Sequence, residues 1–321
     1  MIRWRKQGLI FVPDGAIGWM RSHASLPVAD PLDESTLRIH FAARDQAGRS
    51  RIGWIDVDPD HPRLVRDLSH EPILPLGERG TFDDNGMTPS CIVADDGLRY
   101  LYYIGWNPQV TVSYRLAIGL AVSEDGGFTY RRFSQGPLLD RDRDEPFFNT
   151  APCVIHDRDS WRMWYVSCTG WDEVDGRPEP MYDVKYAESA DGITWRRTGL
   201  VCVGYDAFTR AIGRPWVVRL DDHFAMWFSY RGLRDYRTDP RTSYRVGYAE
   251  SADGLLWERK PDPVGLERSA GGWDSVMTAY TNVLASSGRL LCFHNGNGFG
   301  ESGVGYAVGE VDESGAGRAV A

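Results

Sequence analysis

The sequence predicts an all-β protein: a five-bladed β-propeller of four-stranded antiparallel blades, with the ring closed by the N-terminal strand. Three observations predict it. A unit of strand-like runs recurs five times, its first runs beginning at positions 26, 90, 152, 215 and 281, at intervals of 64, 62, 63 and 66 residues. Within each unit, apolar and polar residues alternate with the period of strands rather than helices. The composition is rich in 12 Trp, 15 Tyr and 35 Gly, which suits half-buried pleated surfaces and tight turns.

The plainest pair of copies is VKYAESADGITWRRT, from Val184, and VGYAESADGLLWERK, from Val246. A third, IGLAVSEDGGFTYRRF from Ile118, carries one extra glycine, and the aligned Asp125, Asp191 and Asp253 are 66 and 62 residues apart. Each hairpin follows two further strand-like runs. The first runs are LPVAD, SCIVA, PCVIH, PWVVR and TNVLA; the second are RIHFAAR, YLYYIGW, RMWYVSC, FAMWFSY and LLCFHNG. Four-stranded antiparallel sheets repeated around an axis leave only short, protected edges. The fifth unit lacks a fourth strand after GVGYAVGEV, and WRKQGLI from Trp4, which matches WRRTGLV from Trp195, is expected to supply it. One domain over residues 1–311 follows, with the Gly-rich stretch 312–321 read as a disordered tail.

A formal net charge of -9, with no basic run, excludes the concentrated positive footprint that a nucleic-acid partner needs. No apolar run reaches the length of a membrane span, and the apolar run from Leu9 to Val12 is too short for a secretory leader. Five unpatterned cysteines suit a reducing cytoplasm, with Cys91 and Cys153 at equivalent repeat positions as small buried hydrophobes.

Antiparallel connectivity puts the short turns after the first strands and the Asp-Gly turns on one face. The long loops after the second strands, and the segments leading into the first strands, share the other. Those lead-in segments carry His23, Asp83, Asp84, Glu145, Asn149, Arg210, Arg214, Asp274 and Tyr280, which are expected to converge near the axis. Trp106, Trp171 and Tyr236 on the loops would stack on a sugar ring, and Asn295 stands on the loop after the last second strand. Several have plainer roles: Asp83 and Asp274 as turn caps, Arg210 and Arg214 as neutralisers of the acids, His23 as a hydrogen-bonding residue. No pattern of metal ligands is present, and no cofactor is demanded. SEDGGFTY from Ser123 resembles the Asp-box pattern of sialidases, in which the Asp caps hairpin amides on the opposite face.

In repeat count, strand order and its YAES-ADG-W hairpins, the whole chain resembles the five-bladed propeller superfamily of glycoside hydrolases and transferases: arabinanase and xylosidase types, invertases and levansucrases. It looks closest to uncharacterised bacterial members marked by stretches such as FDDNGMTPSCIV, DEPFFNTAPCVI and NGNGFG. The resemblance implies acids at the axial strand starts of the first three blades. By position, the general acid falls on Glu145 and the orienting acid on Asp84. The first blade departs, showing His23, Ala24 and Ser25, while Asp30 lies toward the opposite face; Asp83, Asp274 or His23 is left to fill the role. An axial calcium fits the resemblance, though no ligand set requires it.

The expected function is therefore a carbohydrate-active enzyme, hydrolysing or transferring a sugar or glycoconjugate, with Arg210 and Arg214 holding an anionic group. The alternatives are a non-hydrolytic saccharide-binding propeller, or a repurposed propeller enzyme doing acid/base chemistry in small-molecule biosynthesis.

Overall fold

A computed structural model describes residues 2–157, 160–220, 222–261, 266–286 and 289–311. The expected tail lies outside the described residues. The chain begins with strand β1 (Ile2–Phe11) and continues into β2 (Ser22–Pro31), β3 (Leu37–Arg44), β4 (Ser50–Val57) and β5 (Val65–Leu68). Next come β6 (Met87–Asp95), β7 (Leu98–Pro108), β8 (Tyr114–Ser123) and β9 (Arg131–Arg132). They are followed by β10 (Asn149–Asp157), β11 (Ser160–Val174), β12 (Arg177–Ser189) and β13 (Arg196–Val203), then β14 (Ala211–Arg219), β15 (Phe224–Arg231), β16 (Arg245–Ser251) and β17 (Glu258–Arg259). The last strands are β18 (Ala279–Ser286), β19 (Arg289–Asn295) and β20 (Val304–Val311).

These strands form four-stranded antiparallel sheets, as in a propeller. β2–β5 and β6–β9 are two such sheets in sequence order. In a third, β1 adds beside β20, in the order β1-β20-β19-β18, so the N-terminal strand supplies the partner that the last unit lacks. β10–β13 and β14–β17 are joined into one eight-stranded sheet by a single parallel pairing, Tyr182 with Ala211.

Consecutive sheets pack face to face. Ile52 meets Leu101 and Tyr103, and Cys91 and Tyr102 meet Met163 and Tyr165. Trp164 meets Met226 and Phe228, Trp227 meets Leu290 and Cys292, and Phe293 and Tyr306 meet Ile39 and Phe41. A glycine in the third strand admits the ring behind it: a Cβ on Gly119 or Gly247 would lie 2.4 Å from Tyr103 or Phe228. The leading strands neighbour one another in turn, β2 with β6, β6 with β10, β10 with β14, β14 with β18 and β18 with β2.

Pairing also corrects the repeat register. Val28, Cys91, Cys153, Trp216 and Asn282 all stand opposite the second strand at one equivalent point, so Pro27, not Leu26, aligns with Pro152 and Pro215. The Asp-box hairpins behave as the sequence implies. Asp125 accepts from the amides of Phe128 (3.0 Å) and Thr129 (2.9 Å), and Ser123 Oγ donates to it (2.7 Å). All five cysteines are buried and free.

Candidate functional site

Each leading strand carries a bulge at the same place. Pairing slips between Ser25 and Val28, Pro89 and Cys91, Thr150 and Cys153, Gly213 and Trp216, and Ala279 and Asn282. The bulged residue turns left-handed in four of them: Leu26 (φ 53°), Ala151 (46°), Arg214 (51°) and Tyr280 (58°). Such a conformation costs a non-glycine residue about 1 kcal/mol or more, and bulges serve to re-aim side chains. All four residues line one cavity of about 430 Å³, with Ser25, Thr88 and Thr150 from the residues just before the bulges. A volume of that order suits a small molecule.

The wall of the cavity is cationic and phenolic. Arg44, Arg214, Arg231 and Arg237 line it beside Tyr114, Tyr182, Tyr236, Tyr244 and Tyr280, with Trp106, Phe148 and Phe299. Among the described residues that line it there is no Asp or Glu. Arg214 is 1% exposed; its Nη2 donates to the Pro27 carbonyl (3.0 Å) and its guanidinium lies 5.3 Å from the Trp216 ring. Its Nε and Nη1 have no partner. Burial lowers its pKa to about 10, which leaves it charged at neutral pH.

Arg231 is fully engaged. Nε donates to Tyr244 Oη (3.3 Å), Nη1 to the Gly232 carbonyl (2.8 Å) and Nη2 to the Pro180 carbonyl (3.0 Å), with the Tyr236 ring 3.8 Å away. Tyr182 and Tyr244 share a hydrogen bond of 2.5 Å. Tyr236 Oη donates to Glu179 (2.7 Å), which Arg237 also holds (2.5 Å).

Of the sequence candidates, the cavity brings together Arg214, Tyr280, Trp106 and Tyr236. The candidate acids are not among the lining residues. Asp83 is buried, accepting from Tyr103 Oη (3.0 Å) and Arg132 Nε (2.8 Å). Glu145 accepts from Tyr165 Oη (2.7 Å), Ser167 Oγ (2.8 Å) and Asn149 Nδ2 (2.7 Å), with Lys185 at 3.7 Å and Arg197 at 3.8 Å. Asp274 pairs with Lys6 at 2.5 Å. These are versions of one clamp: an acid leading into the sheet, held by a cation from its outermost strand. Arg132, Arg197, Arg259 and Lys6 are equivalent residues, following TYR, TWR, LWE and RWR in the aligned copies. In the fourth copy, Thr209 takes the acid's place, with Arg259 at 3.4 Å.

The remaining candidates also lie outside the cavity lining. Asp84 accepts from Asn107 Nδ2 (2.6 Å) and the Gly80 amide (2.8 Å). His23 contacts Ser22 Oγ, and burial, helped by Arg44, lowers its pKa to about 4, so it is neutral at pH 7. Arg210 pairs with Asp172 (3.1 Å), and Trp171 packs on Tyr114 and Phe148. Asn149 serves Glu145, while Asn295 donates to the Ala24 and Gly303 carbonyls. No cluster of three or more potential metal-ligating side chains occurs among the described residues. Sequence reasoning missed Arg44, Arg231, Tyr182 and Tyr244. A signal existed for the arginines: Arg44 and Arg231 stand at one equivalent position, closing apolar second strands where Trp106 and Cys168 stand in other copies.

No family model matches the sequence. Over 306 residues the chain is 39% identical to the uncharacterised protein Rv1502 of Mycobacterium tuberculosis strain H37Rv, covering 95% of this chain and 98% of that protein. The chain belongs to the Rv1502 family. A second member, MT1551 of M. tuberculosis strain CDC 1551, is uncharacterised and matches to the same extent. The fold of this chain is similar to that of solved glycoside hydrolases. One described as a glycoside hydrolase superposes with a TM-score of 0.75 at 17% identity, covering 97% of this chain and 93% of that one. Bombyx mori GH32 beta-fructofuranosidase BmSUC1 gives 0.63 at 17% identity, covering 96% of this chain and 62% of that one. Among the described residues no helix is long and apolar enough to cross a membrane.

Proposed function

We propose that this Rv1502-family chain is a carbohydrate-active protein whose cavity holds an anionic saccharide, such as a uronoside or a sugar phosphate. Five sheets would act as five blades around one axis within a single domain over residues 1–311; the cyclic contacts of the leading strands and the pairing of β1 with β20 support that reading. The glycoside hydrolase fold supports the saccharide class.

One observation carries the anionic group. Arg214 lines a cavity without a carboxylate, is buried and charged, and has two guanidinium nitrogens without a hydrogen-bond partner. Leaving such donors unmet is costly, so a ligand that supplies oxygen acceptors is favoured. Trp106, Tyr114 and Phe148 offer the apolar surface on which a sugar face stacks. Hydrolysis through two carboxyl groups finds no such pair in the lining, so Glu145 and Asp84 are read as scaffold and the reactive groups are sought among the tyrosines. Five buried free thiols fit a reducing, cytoplasmic setting.

Isothermal titration against glucuronate, galacturonate, glucose 1-phosphate and neutral glucose tests this. At least one anionic sugar should bind tenfold or more tightly than glucose, and Arg214→Lys should lose about tenfold of that preference because a single ammonium cannot reproduce the guanidinium fork. Equal binding of neutral and anionic sugars would reject the reading. Tight binding of a non-sugar aromatic carboxylate in preference to all four would favour the biosynthetic alternative.

A further inference from the structure

We propose that the cavity carries out β-elimination on a 4-linked uronoside, with Tyr244 as the group that takes the C5 proton. The inference rests on the anionic-sugar reading of the same cavity. Elimination needs no pair of carboxyl groups. It needs a cation to neutralise the sugar's carboxylate, which acidifies the adjoining carbon, and one well-placed proton-transfer group.

The lining supplies both. Arg214, a lining cation with two unpartnered nitrogens, would meet the carboxylate. Tyr280 and Arg214 line the same cavity, and the Tyr280 ring packs on that of Tyr244 with centroids 5.4 Å apart. The Tyr244 oxygen is fixed from two sides, by Tyr182 at 2.5 Å and by Arg231 Nε at 3.3 Å. Arg231 is itself locked by the Gly232 and Pro180 carbonyls, so a preorganised cation faces the oxygen on which negative charge rests once the phenol gives up its proton.

In the step, Tyr244, its phenolic proton released to solvent before the first turnover, takes the C5 hydrogen as a proton. The C5–H electron pair becomes the C4=C5 double bond, and the C4–O bond breaks with its pair going to the leaving oxygen. That oxygen takes the proton back from Tyr244, which restores the phenolate. No water, oxidant or metal is consumed, and the products are an unsaturated uronoside and an alcohol. Tyr182 and Arg231 act as positioning residues.

The test incubates the full chain with 4-linked oligogalacturonate and oligoglucuronate. It follows the ultraviolet absorbance of the conjugated C4=C5 carboxylate and, in D2O, deuterium at C5 of unreacted substrate. Wild-type protein should give unsaturated product. Tyr244→Phe should lower its rate by about 10³-fold with uronoside affinity within about threefold. Tyr182→Phe, which keeps the Tyr244 phenol, should lower the rate by about tenfold and leave affinity intact. Thermal melts establish that both variants are folded; were Tyr244→Phe to unfold, Tyr182→Phe carries the decision. Binding without unsaturated product, or equal turnover by the folded phenylalanine variants, would overturn the elimination while the anionic-sugar site stands. Failure of every anionic sugar to bind would remove the site reading beneath it.

Discussion

Replacing Glu145 by Gln separates a scaffold acid from a catalytic one. The carboxylate is 5% exposed and accepts three hydrogen bonds, from Tyr165, Ser167 and Asn149, with two cations within 3.8 Å. A hydrogen bond to a charged group contributes about 1.5–3 kcal/mol against about 1 kcal/mol between neutral groups, so three lose roughly 3 kcal/mol in sum. The Gln amide also presents a donor where all neighbours donate, and Lys185 and Arg197 lose the charge they face. Removing one partner of a buried pair typically costs 3–5 kcal/mol, and the two routes agree on about 3–5 kcal/mol. For a chain of this size that lowers Tm by roughly 4–7 °C. Scanning fluorimetry reads the shift, and titration with the preferred anionic sugar should give an unchanged affinity in the folded variant. A Tm within about 1 °C of wild type, together with lost turnover, would refute the clamp and return Glu145 to the reaction.

Lys6→Met leaves Asp274, 1% exposed, facing no cation, and should cost about 3–5 kcal/mol in urea melts, with much of it regained in the Lys6→Met/Asp274→Asn double variant. Asp183 is held up at about 6 by burial, with Lys185 opposing and Glu145 adding, against about 3.9 unfolded. Its native form therefore keeps a proton that the unfolded chain releases, and its contribution is lost as pH rises from about 4 to 6. Asp183→Asn should accordingly be more favourable relative to wild type at pH 7 than at pH 4, by denaturant titration at both. Asp125→Ala should lower Tm and leave sugar affinity unchanged, because Asp125 holds only its own hairpin.

The strand content, the repeat and the sharing of β1 with β20 were legible because each rests on periodic residues: the Asp-Gly turns, the paired aromatics, and WRK matching WRR. The site was half legible. Of the sequence candidates, Arg214, Tyr280, Trp106 and Tyr236 line the cavity, because standing beside a leading strand is necessary for reaching it. It is not sufficient. The bulge decides which way each side chain turns, and bulges leave little trace in composition, since Leu26, Ala151, Arg214 and Tyr280 are poor left-handed residues that only tertiary packing holds there. The acids stand outside the lining for a related reason. Asp83, Glu145 and Asp274 recur at intervals of 62 and 129 residues, with Thr209 filling the gap, and their cations Arg132, Arg197 and Lys6 hold one position in the aligned copies. A residue repeated with the copies belongs to what the copies share.

That distinction orients the cavity. The bulge position is one structural site occupied five ways: Leu26, Pro89 and Ala151 in the first three copies, Arg214 and Tyr280 in the last two. Arg231 and Tyr244 come from the fourth copy of the repeat and its loops, and Arg44 from the first, whose leading strand neighbours that of the fifth; Trp106, Tyr114 and Phe148 come from the second and third. The symmetric frame thus encloses an asymmetric wall, aromatic toward one pair of sheets and cationic toward the other. A pyranose uronoside has the same division, with an apolar C–H face and a carboxylate at its edge. If its face lies on Trp106 and Tyr114 and its carboxylate on Arg214, the C5–H beside that carboxylate is carried toward the tyrosines of the cationic side, which is where Tyr244 stands.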